Sequence, residues 1–129
     1  MIGGKGYSKM KYHSLIKKIK KLANAHDEIS QDALELVVEN VAMHLTDHTR
    51  RGFAAKLPHE LRSAAMMVPT AGAVDDDIIE QFMDIDDVDE HRARDYVRAA
   101  WQAICELFDR ESVEDITAEL PRRMVAVLE

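Results

Sequence analysis

The chain has 129 residues, 47% hydrophobic and 32% charged, the balance of one globular domain and not of a disordered segment. Aromatics are only 5%, with five glycines and three prolines, which disfavours an all-β fold. The net charge of −7 sets the molecule as a whole against nucleic acid and anionic lipid, and the lone Cys105 excludes an internal disulfide and points to the reducing cytoplasm.

Residues 1–8 are Gly-rich and polar and are expected to form a flexible tail. No apolar secretory segment opens the chain, and no 18-residue apolar run predicts a membrane span. From Ser8 the spacing becomes helical, with Tyr12, Leu15, Ile16, Ile19 and Leu22 at three- and four-residue steps. Asn24, His26 and Asp27 interrupt it, and Ser30 is expected to cap a second helix carrying Leu34, Val37, Val38, Val41, Ala42 and Leu45. Thr46 and Asp47 open a short third helix, weakened at Gly52. Pro58 suits the first position of a fourth, with Leu61, Ala64, Ala65 and Val68.

Residues 69–74 read as a linker between a first helical unit (9–68) and a second (75–129). The second unit repeats the order. An amphipathic helix with Ile78, Ile79, Phe82 and Ile85 precedes a long one with Val97, Ala100, Trp101, Ile104, Cys105 and Phe108. Asp109 caps a short helix with Val113 and Ile116, and Leu120-Pro121 opens the last, with Met124, Val127 and Leu128.

A shift of 63 residues aligns the halves without a gap. Leu57-Pro58 falls on Leu120-Pro121, Ile16 on Ile79, Asp32 on Asp95 and Ala55 on Ala118. The apolar pattern agrees better than the identities: Ile19 falls on Phe82, Leu22 on Ile85, Leu34 on Val97, Val38 on Trp101, Val41 on Ile104, Phe53 on Ile116 and Leu61 on Met124. The expectation is a single all-α domain, a compact bundle of about eight helices, four longer and four short. It would contain two pseudo-symmetric copies of one unit, each too small to bury its apolar face alone.

Leu45-Thr46-Asp47 followed by Ala55-Lys56-Leu57-Pro58-His59-Glu60-Leu61-Arg62 has a second version in Leu107-Phe108-Asp109 followed by Ala118-Glu119-Leu120-Pro121-Arg122-Arg123-Met124. This doubled pattern resembles the prokaryotic domain of unknown function 2267 family over about residues 12–129. Met124-Val125 departs from the Leu-Arg of the first copy. The resemblance implies a two-copy helical fold and no activity, cofactor or catalytic residue.

Local chemistry is sparse. His44 and His48 are four apart, but Thr46 starts a helix between them, and no Cys pair or following glutamate completes a zinc site. Asp84-Ile85-Asp86-Asp87-Val88-Asp89 lacks the glycine and closing glutamate of a calcium loop. Cys105 falls on the apolar stripe of Trp101 and reads as core. Gly3-Gly4-Lys5-Gly6 lacks the spacing of a phosphate loop. No metal, cofactor or catalytic residue is assigned. The methionines read first as packing, with Met66 and Met67 the candidates for an adaptable binding patch.

Charge is laid out unevenly. Residues 1–25 hold seven lysines and no acid, among them Lys17, Lys18, Lys20 and Lys21, whereas residues 75–90 hold nine acids and no base. Two solvated faces are the plainest reading. The functional reading is contact between the basic and acidic helices, within the fold or between molecules, and hence a protein-binding module, with self-association as one form of that binding. Weak nucleic-acid binding through the lysines is the alternative, limited by the lack of Arg and of interleaved aromatics. An unrecognised enzyme remains the third reading, since sites assembled from distant residues leave no local trace.

Overall fold

A computed structural model describes residues 4–70 and 77–129, with side chains from residue 11 onward. The described residues form eight helices: α1 (Gly4–Ala23), α2 (Asp27–Ala42), α3 (Asp47–Lys56), α4 (His59–Met67), α5 (Ile78–Asp86), α6 (Glu90–Cys105), α7 (Arg110–Ala118) and α8 (Arg122–Leu128). No strand occurs among them. Of the expected tail, residues 1–3 lie outside the described residues and 4–8 are the first turns of α1; of the expected linker and second-unit start, 71–76 lie outside.

Helix ends follow from local chemistry. α1 stops where Asn24 turns left-handed (φ 52°), and Ala25 N–H reaches back to Lys20 O at 3.3 Å, the bond pattern that closes a helix end. This early stop lets α2 begin at Asp27, with Asp27 and Glu28 favoured by the helix dipole. Ser30 is therefore not the cap. It lies buried in the second turn, with its Oγ unpartnered. In the second half three aspartates cap: Asp77 accepts from Ile79 N–H, Asp89 from Arg92 N–H and Asp109 from Ser112 N–H, at 2.9, 2.8 and 2.8 Å. Pro58 and Pro121 each stand one residue before their helices, not inside them.

Helix bounds recur 63 residues apart: α2 maps onto α6 at both ends, and the left-handed Asn24 maps onto Asp87 (φ 50°). The tightened turns recur too. Leu45 N–H bonds Ala42 O as Phe108 N–H bonds Cys105 O, all at 3.1 Å.

At the centre α2 packs on α6. α1 and α5 each rest on both, and have no packing of comparable extent with each other. α4 covers α1, α2 and α3, α8 covers α6, and α3 touches α7. The shift exchanges α1-on-α6 with α5-on-α2, but α4-on-α1 has no counterpart of that extent in α8 and α5.

The expected stripes form the core. Ile19, Leu34, Val38, Val41, Phe53, Phe82, Val97, Trp101, Ile104 and Leu128 are all buried, each such side chain contributing roughly 1.5–3 kcal/mol. Phe82 meets Tyr96 edge-on at 5.8 Å, and Phe53 stacks on Phe108 at 5.6 Å. Two members depart from expectation. Leu22 and Ile85 occupy equivalent places in the last turns of α1 and α5, and both stand largely in solvent (46% and 56% exposed). A left-handed exit follows each of them two residues on.

Candidate interaction surface

On α1 the lysines do not act as one block. Lys18 pairs with Glu106 at the C-terminal cap of α6, and Lys20 with Asp27 at 2.7 Å. The Lys20 hydrogen bond and charge hold the Asp27 carboxyl below its usual range. Lys17 and Lys21 are exposed and form no ion pair among the described residues. The partners of Lys18 and Lys20 are thus Glu106 and Asp27, not the described acids of 77–90, because α1 leans on α6 and leads into α2.

α5 presents the converse. Glu80 and Asp84 are exposed, in the register of Lys17 and Lys21. Where α1 carries Lys18 toward Glu106, α5 carries Gln81 toward Asn40 of α2. Their side-chain amides exchange hydrogen bonds at 3.2 and 3.3 Å, tying α5 to α2 through a part-buried polar contact. Asp86, ending α5, meets Asp32 of α2. Burial first, then the Asp32 carboxyl, push Asp86 up to about 6, with Glu28 adding to the rise and His26 opposing it. The segment cannot wrap a calcium ion as a loop: Asp84 and Asp86 are helical, and the Asp89 side chain is committed to capping α6.

Met66 and Met67 end α4 at 44% and 80% exposure, so their packing role is not realised. Trp101 and Met124, by contrast, are core, and Met83 is half-buried. His44 is half-buried and His48 exposed, and no three-residue metal-binding group occurs among the described residues. Cys105 is half-buried, and burial pushes its thiol up to about 12, which keeps it protonated and weakly nucleophilic.

Two clefts among the described residues lie beside these helices. One, of about 270 Å³, lies between α3 and α7 over the Phe53–Phe108 stack, with Lys56, His48 and Asp115 at its rim. The other, of about 230 Å³, lies between the end of α1 and the start of α6, against Arg92, Asp95 and Tyr96. Both fall short of the roughly 300–1,000 Å³ usual for small-molecule sites. Beside the first, Glu119 reaches across to the start of α3, accepting from Thr46 N–H at 2.8 Å and from the Thr49 hydroxyl at 2.6 Å. Burial raises that carboxyl, but these hydrogen bonds outweigh it and hold it below its usual range. Nothing near Glu119 in sequence signals this role, which joins positions 70 and 73 residues apart.

No curated protein and no solved structure matches the chain. A family model described as an uncharacterized conserved protein, DUF2267, matches residues 12–127, which takes in both Leu-Pro helix starts and nearly every described helix. The chain is therefore a member of the DUF2267 family.

Proposed function

We propose that this protein is a cytoplasmic, non-catalytic interaction module that binds protein, itself included. One observation carries the reading. Large apolar side chains, Leu22, Ile85, Met66 and Met67, stay exposed, the first two on helices α1 and α5, whose exposed charges have opposite sign. Exposed methionines adapt to varied apolar surfaces, and flanking charge steers an encounter. The groups best suited to chemistry are otherwise engaged: Cys105 is held as a thiol, and Glu119 is clamped by threonines.

Light scattering over a wide concentration range tests self-binding, with rising mass expected. For a foreign partner, retention on the immobilised protein is compared with that on Met66→Glu/Met67→Glu. A constant mass together with identical retention sinks the reading. Lys17 and Lys21, exposed and without an ion pair among the described residues, favour a second reading, weak nucleic-acid binding. DNA retention at low salt that survives Lys17→Gln/Lys21→Gln would remove it.

A further inference from the structure

We infer that copies of this chain join head to tail, the basic surface of α1 on one copy seating against the acidic surface of α5 on the next. The inference rests on the self-binding reading and names its contact. Three exposed positions on α1, Lys17, Lys21 and Leu22, fall 63 residues before three exposed positions on α5, Glu80, Asp84 and Ile85. At the first two the charge is reversed, and at the third both helices expose a large apolar side chain.

Among the described residues these surfaces do not pair with each other within one molecule. α1 and α5 each pack on α2 and α6 but have no packing of comparable extent with each other, and the ion pairs of Lys18 and Lys20 run to Glu106 and Asp27. Such a contact between copies either closes reciprocally in a two-fold pair or grows as a ring or open chain, according to the angle between the two surfaces. Its charges lie in solvent, so added salt weakens it.

The test uses two full-length variants, Lys17→Glu/Lys21→Glu and Glu80→Lys/Asp84→Lys. The first carries acid on both surfaces and the second carries base on both. Each alone is expected to associate at least about tenfold more weakly than wild type, because like charges now oppose. An equimolar mixture regains association, since every surface of one complements a surface of the other. Circular dichroism melts show that each variant is folded; all four positions are exposed. Should wild type associate while both variants still do so alone, this contact is wrong and the self-binding reading survives. If both variants lose association and the mixture does not regain it, the two surfaces do not meet. A wild type that keeps single-chain mass at low salt overturns this inference and self-binding together, leaving only a foreign partner.

Discussion

Arg50 brings a permanent charge into the interior, where it is 7% exposed. Its Nε donates to Ala42 O at 3.0 Å and its Nη1 to Val68 O at 2.6 Å, so one guanidinium ties off the carboxyl-terminal ends of α2 and α4. Those carbonyls sit at negative helix termini, and the positive fork suits them in charge as well as geometry. Arg50→Met keeps much of the stem but strands both carbonyls, and should cost about 2 kcal/mol in urea unfolding. Equal midpoints for the two proteins would show that water replaces the guanidinium freely.

Asp86 works in the opposite sense. Its carboxyl is pushed from 3.8 in the unfolded chain to about 6 by burial and by Asp32, so the folded state holds a proton that the unfolded state has released. Stability from this group is present below about pH 4 and is lost as pH rises toward 6. Asp86→Asn should therefore be more stable than wild type at pH 7.5, with the difference shrinking toward pH 4.5. After allowance for solvent screening at a partly exposed site, the gain is on the order of 1 kcal/mol. Denaturant curves at the two pH values check it, and a pH-independent difference would exclude the titration as its cause.

At the scale of the element, the two left-handed exits set where α1 and α5 end. Asn24 tolerates positive φ, since its side chain suits turns. Asp87 is a poorer choice: it adds negative charge at the negative end of α5, beside Asp84, Asp86 and Asp89. Asp87→Gly removes both the backbone strain and the charge, and should raise the thermal midpoint with a gain of about 1 kcal/mol; Asp87→Val should lower it. Opposite signs for the two substitutions distinguish backbone strain from charge alone, because both remove the carboxylate.

At the scale of the whole molecule, the core is shared between the halves. α1 rests on α6, α5 on α2, and α2 on α6, so the most extensive helix contacts cross between residues 4–70 and 77–129. Each piece separately is expected to show little helicity by circular dichroism, and mixing them to restore it, because a unit of about 60 residues buries too little apolar surface alone. A stably helical 1–70 fragment would contradict this. Glu119 on Thr46, and Gln81 on Asn40, are polar contacts that such mixing should re-form.

The apolar periodicity placed all eight helices and nearly all the buried stripe, because a 3.6-residue repeat and its breakers are local properties of the chain. It misplaced Ser30 as a cap, since the stop at Asn24 that frees Asp27 to start α2 needs a backbone turn that composition does not announce. It also placed Leu22 and Ile85 inside. Periodicity says which side of a helix is apolar, but not whether a neighbour extends far enough to cover its last turn. The 63-residue spacing of the two Leu-Pro starts was likewise legible, and so was the opposition of lysine and aspartate. Tertiary structure alone decided that Lys18 and Lys20 spend their charge inside the molecule, whereas Lys17, Lys21, Glu80 and Asp84 keep theirs at the surface. The reason is physical: secondary structure follows from neighbours along the chain, but the partner of a charge depends on which helix packing brings within a few ångströms of it.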